Sequence, residues 1–148
     1  MPKTTIFVGS SLEAKTQAKT LIKHFTSATV VFLPWWDCFT PGNLLLNDLE
    51  NARRKIDAAL ILLTPDIAAT VRGNQVALPN QNVLFELGYF FSALGASKIA
   101  LMKYAATSIP KDLDGYTHIP GSNFFKPRAS VLVGKKTNAA FNNWIASI

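Results

Sequence analysis

Short β-branched or aromatic runs alternate along this chain with longer stretches that carry apolar residues at helical spacing. Thr5-Ile6-Phe7-Val8 ends at Gly9 and predicts a buried strand. Ser10-Ser11-Leu12-Glu13 has the form of a capping box, with Ser10 as the cap and Glu13 reaching back. Ala14, Ala18, Leu21, Ile22 and Phe25 then share one helical face, with Lys15, Lys19 and Lys23 opposite. Residues 29–33 predict a second strand, stopped by Pro34. An aromatic loop over 35–42 closes on a Pro-Gly turn. Leu45, Leu49, Ala52 and Ile56 mark a second amphipathic helix.

Residues 58–64 are almost wholly apolar, the pattern of a central parallel strand covered on both faces. Pro65-Asp66 closes it, and a long connection runs through Arg72-Gly73-Asn74 to Pro79-Asn80-Gln81. Residues 82–95 predict a helix that is apolar nearly all round and therefore buried. Gly88 within it is expected to allow close packing, and Gly95 to end it. Residues 98–102 predict a fourth strand. Beyond Tyr104 the pattern weakens, with an edge strand expected at 131–133 and a last helix carrying Phe141, Trp144, Ile145 and Ile148. The order β-α-β-α-β-α-β implies an α/β fold with a parallel central sheet of four to five strands and helices on both faces. Ligands in such folds bind beyond the carboxyl ends of the strands. That rule selects the loops at 9–11, 35–42 and 65–81.

Composition sharpens this picture. Of the 148 residues, 49% are hydrophobic and only 16% charged, which excludes a disordered chain and fits a single domain over 1–148. The net charge is +6, and it is uneven: residues 98–148 hold 7 basic and 2 acidic side chains. They form no dense basic run with interleaved aromatics, so the surplus reads as a solvated or assembly face rather than a nucleic-acid grip. Cys38 is the sole cysteine, and His24 and His118 lack metal-ligand spacing, so no metal or disulfide is expected. No signal peptide and no membrane-length apolar run is evident, and a cytoplasmic setting is expected.

Within that sparse charge, Glu86 is the only charged residue between Arg72 and Lys98, and it lies in the most apolar helix. A buried carboxylate is costly unless paired or protonated. Asn82, one turn earlier, could hydrogen-bond it, and Arg53 or Arg54 could pair it as a structural ion. The alternative is a carboxylate in an apolar cleft, an environment suited to acid/base or nucleophilic work. Gly9-Ser10-Ser11 could hold a phosphate on its amides or could simply cap the helix. Trp35, Trp36 and Phe39 could stack a base or nicotinamide ring, or be core. Asp37 and Asp66 end strands at the same edge; either could accept from a ribose hydroxyl or cap the chain, and Asp66 reads as a cap while Asp37 stays open between the two.

Several of these segments resemble the bacterial TIR-like predicted nucleotide-binding domain. They are Ile6-Phe7-Val8-Gly9-Ser10-Ser11, Trp36 through Phe39 to Pro41-Gly42, Leu62-Leu63-Thr64-Pro65-Asp66, Asn82-Val83-Leu84-Phe85-Glu86-Leu87-Gly88-Tyr89-Phe90, and Pro110 to Gly115. The resemblance covers about residues 4–118 in order. It implies a flavodoxin-like TIR fold and an NAD⁺ glycohydrolase that releases nicotinamide and ADP-ribose or its cyclic form. It also implies an effector of anti-phage immunity, activated by self-association and linked to a cyclic-nucleotide sensor as fused domain or partner. The chain would then be a whole domain or one excised from a longer effector. The family's catalytic glutamate maps onto Glu86 and its loop glycine and serines onto Gly9, Ser10 and Ser11. Trp36, Asp37, Phe39 and Asn82 join them as expected substrate contacts. Pro79-Asn80-Gln81 replaces the family's frequent Pro-Arg-Asp, and Asn82 stands where many TIR enzymes carry Trp.

The implied chemistry suits a single carboxylate. Breaking a nicotinamide–ribose bond develops oxocarbenium character, and nicotinamide departs neutral, so no strong general acid and no cofactor is required. Two other readings are open at this level: a nucleoside 2-deoxyribosyltransferase, and a non-catalytic nucleotide-binding or assembly scaffold.

Overall fold

A computed structural model describes residues 2–148. Strand β1 (Thr4–Gly9) leads to helix α1 (Lys15–Phe25), β2 (Val30–Pro34), α2 (Leu45–Arg53) and β3 (Ala58–Leu63). After a hairpin of β4 (Ile67–Val71) and β5 (Asn74–Leu78) come α3 (Gln81–Leu94), β6 (Ile99–Lys103), β7 (Thr117–Pro120) and α4 (Lys135–Ser147). Five strands pair in parallel in the order β2-β1-β3-β6-β7, the flavodoxin-like arrangement.

The period of two in β1 sends Ile6 and Val8 to one face and Phe7 to the other. Helices α1 and α4 cover the first face, where Phe25 stacks on Phe141 at 3.9 Å between ring centroids. Helices α2 and α3 cover the second, where Phe90 meets Phe7 at 4.6 Å. Every residue of β3 is buried, as its unbroken apolar run requires. Among the described residues no helix is long and apolar enough to cross a membrane.

Four expectations need correction. Helix α1 has Ala14 as its N-cap with no side-chain cap bond, so the capping box at Ser10 does not form. Ser10 and Ser11 instead belong to a loop in which the Ser11 hydroxyl accepts from the Ala14 amide at 3.3 Å. The connection after β3 is a hairpin, turned by Arg72 (φ 50°) and Gly73 (φ 80°); its Ala- and Gln-containing strands lack a clear apolar alternation. The fifth strand of the sheet is β7 rather than 131–133. β7 buries only Ile119 and ends at proline, which leaves little strand signal. Val131 is held by the Gln17 amide, which accepts from its N–H at 2.7 Å and donates to its carbonyl at 3.2 Å, while Leu132 is 92% exposed. Gly88 faces open space, so it serves no close packing, whereas Gly95 (φ 84°) does end α3.

Phe141 carries α4 onto the sheet and is 2% exposed. Phe141→Ala is expected to destabilise the protein by about 3–5 kcal/mol, measured by denaturant unfolding.

Candidate active site

The chain leaves β1 for β2 on one side and reaches β3 on the other, so the carboxyl ends of β1 and β3 flank a crevice. Into it α3 delivers Glu86. The helix starts on Asn80, whose side chain accepts from the Asn82 amide at 2.8 Å. Its inward face then presents Val83, Glu86, Leu87 and Phe90. Periodicity that buries the three apolar residues necessarily buries the carboxylate with them.

The crevice opens as a cavity of about 450 Å³ lined by Ser10, Ser11, Leu12, Trp35, Phe39, Leu45, Asn80, Asn82, Val83 and Glu86. Larger hollows of about 640 and 720 Å³ beside the β4–β5 hairpin contain no carboxylate. Glu86 is 5% exposed, and its Oε2 has no hydrogen-bond partner among the described residues. Burial pushes its carboxyl up to about 7. None of the expected structural partners bonds it: Arg53 pairs with Glu50 at 3.6 Å, and neither Arg54 nor the Asn82 side chain makes a hydrogen bond or ion pair with the carboxylate. Gly9 forms the floor. A Cβ there would stand 2.8 Å from Ile61 Cδ1 and 3.3 Å from Glu86 Oε2, so a larger residue would press on both the isoleucine and the carboxylate.

The opposite wall is built by hydrogen bonds. Trp35 Nε1 donates to Ser10 Oγ at 2.9 Å, and Ser10 Oγ donates to the Ser11 carbonyl at 2.9 Å. This fixes an indole beside the cleft. The lone thiol offers no second nucleophile: burial and the neighbouring Asp37 charge push Cys38 up to about 11, and it donates to the Pro34 carbonyl.

Of the residues singled out from sequence, Ser10, Ser11, Trp35, Phe39, Asn82 and Glu86 line one cavity, with Gly9 beneath. Trp36 and Asp37 do not reach it. Trp36 packs on the α1 side, with Lys15 and Lys19 Nζ 5.1 and 5.9 Å from its ring centroid. Asp37 is exposed beside a separate small hollow near Asp48 and Lys55. Trp35 takes the position expected of Trp36. Strand parity separates the two stacking candidates, since Leu33 and Trp35 fall on the α2–α3 side while Phe32 and Trp36 fall on the other. Leu12 and Leu45, 59% and 37% exposed, form an apolar rim that carried no site signal.

Residues 5–123 match the family described as CAP12/Pycsar effector protein, TIR domain. The chain is 34% identical over 115 residues to CD-NTase-associated protein 12 of Sphingobacterium faecium, covering 78% of this chain and 35% of that protein. It is 33% identical over 121 residues to Pycsar effector protein BcPycTIR of Burkholderia cepacia, covering 80% and 40%. It therefore spans two fifths or less of the length of these curated relatives.

Glu86 is expected to cost stability in a pH-dependent way. Below pH 4.5, its ordinary value, the carboxyl is protonated in folded and unfolded chains alike. From there to about 7 the unfolded chain ionises while the folded one stays neutral, so stability falls. Above that the cost is complete, at about 3 kcal/mol. Glu86→Gln should thus raise Tm at pH 8 and leave it nearly unchanged at pH 4, as thermal unfolding at both pH values would report.

Proposed function

The chain belongs to the CAP12/Pycsar effector TIR-domain family, and from that premise we propose that it is an NAD⁺ glycohydrolase with Glu86 as its catalytic carboxylate. The observation that carries this reading is a buried carboxylate with no protein partner, aimed into a cleft at the sheet's switch point. The nicotinamide ring of NAD⁺ is cationic and supplies the counter-charge that Glu86 lacks. A deoxynucleoside brings no such fixed charge, so the unpaired carboxylate favours NAD⁺ over a deoxyribosyltransferase substrate. As the bond from C1′ to the nicotinamide nitrogen breaks, its electrons leave with the neutral base and positive charge moves to the ribose. An ionised Glu86 stabilises that charge, and water completes the hydrolysis to ADP-ribose with loss of a proton. Burial among Val83, Leu87 and Phe90 strengthens the stabilisation, because little water screens it. Trp35 and Phe39 flank the cleft as stacking surfaces. No metal or cofactor takes part.

In this reading the chain is the toxic module of an anti-phage effector, coupled to a cyclic-nucleotide sensor in the same polypeptide or in a partner. Self-association switches it on. Leu44 and Leu46, 73% and 53% exposed beside the Leu12–Leu45 rim, support an apolar contact that a second copy covers.

NAD⁺ turnover measured against protein concentration tests this. Specific activity should rise steeply with concentration, and Glu86→Gln should lose at least about a hundredfold. Because only the ionised carboxylate acts, kcat/KM should climb with pH through about 7. Tight NAD⁺ binding without nicotinamide release at any concentration would instead identify a scaffold.

A further inference from the structure

Asp66 lies three residues beyond β3, outside the lining of the cleft, yet its carboxylate gathers hydrogen bonds from three separate parts of the chain. Ser11 Oγ donates to Oδ1 at 2.9 Å from the loop after β1. Thr64 Oγ1 donates to the same oxygen at 2.7 Å from the end of β3. The Asn80 amide donates to Oδ2 at 3.0 Å from the N-cap of α3. The Asp66 N–H also donates to the Leu78 carbonyl at 3.0 Å, which closes the base of the β4–β5 hairpin. An ionised carboxylate is an acceptor only, and here it meets only donors. Such charge-assisted bonds are among the stronger ones a protein makes.

Two of the three donors belong to residues that line the cleft from opposite sides. Ser11 continues the wall on which Trp35 rests, and Asn80 begins the helix that carries Glu86. We propose that Asp66 is a positioning residue that fixes the gap between the Ser10-Ser11 wall and the Glu86 helix. It touches no substrate and moves no proton. Losing its carboxylate frees the serine loop and the first turn of α3 to drift apart. A displacement of that kind misaligns a reacting bond and its stabilising carboxylate, even though both are still present. The activity consequence rests on the NAD⁺ reading; the structural consequence does not.

The test compares Asp66→Ala, Asp66→Asn and, as a control, Asp57→Ala. Asp57 Oδ2 accepts from the Thr5 amide at 2.8 Å at the opposite end of the sheet, so the control removes a similar bond far from the cleft. Two readouts are taken. The first is the ¹⁵N-correlated indole signal of Trp35, assigned with Trp35→Phe. The second is kcat and KM for NAD⁺ cleavage. Asp66→Ala should shift the Trp35 signal and lower kcat roughly tenfold or more, with KM less affected. Asp66→Asn should retain part of the activity, because the amide oxygen can take the Asn80 N–H while the Ser11 and Thr64 hydroxyls turn to accept. Asp57→Ala should leave both readouts as in the parent protein. An unmoved Trp35 signal in folded Asp66→Ala, or an activity loss matched by Asp57→Ala, overturns the proposal. If the parent does not cleave NAD⁺ but the Trp35 shift appears in Asp66→Ala alone, the positioning role stands and the NAD⁺ reading falls. Should Asp66→Ala fail to fold, Ser11→Ala, which removes the bond between the serine loop and Asp66, carries the same comparison, and an unmoved Trp35 signal in it overturns the proposal.

Discussion

A carboxylate buried without a partner is the constraint around which this molecule is organised. Glu86 sits on the inward face of α3 among Val83, Leu87 and Phe90, and no group among the described residues donates to its Oε2. Water is largely excluded, so the ionised form is costly and burial pushes the carboxyl up to about 7. A fold can hold such a group only if the surrounding packing is rigid enough to resist rearranging around it. The wholly buried β3, the Phe7–Phe90 contact and the side-chain-free floor at Gly9 supply that rigidity.

The strand order puts this packing to use. With β1 flanked by β2 and β3, the loops after β1 and β3 stand side by side, and α3 enters next to them. Trp35 on Ser10 and the three-way bonding at Asp66 then turn adjacent loops into fixed walls. Under the proposed NAD⁺ reading, a cationic substrate ring entering the cleft would supply the counter-charge that Glu86 lacks, and the same carboxylate would then favour the developing cation at the ribose.

Much of this was legible in the residues. The apolar run at 58–63 and the helical spacing around Glu86 fixed β3, α3 and the conspicuous carboxylate, because burial on both faces leaves a strong pattern. The site loops followed from the rule for parallel sheets, and Ser10, Ser11, Phe39 and Asn82 do meet at one cavity. The misses share a physical origin. β7 and the β4–β5 hairpin bury few apolar side chains, so their pairing is written in backbone geometry that composition does not display. The choice between Trp35 and Trp36 depended on which side of β2 each falls, a matter of register rather than residue type. Asp66 looked like a local cap, and its bonds to residues 11 and 80 are tertiary.

The organisation of the molecule turns on Glu86 being buried, unpaired and therefore reluctant to ionise. A ¹³C-carboxyl titration of the protein without ligand, with the Glu86 signal assigned by its loss in Glu86→Gln, measures this directly. The inflection is expected at about 7. An inflection at the ordinary value of 4.5 would mean that water or a partner already satisfies the carboxylate, and would contradict this reading of Glu86.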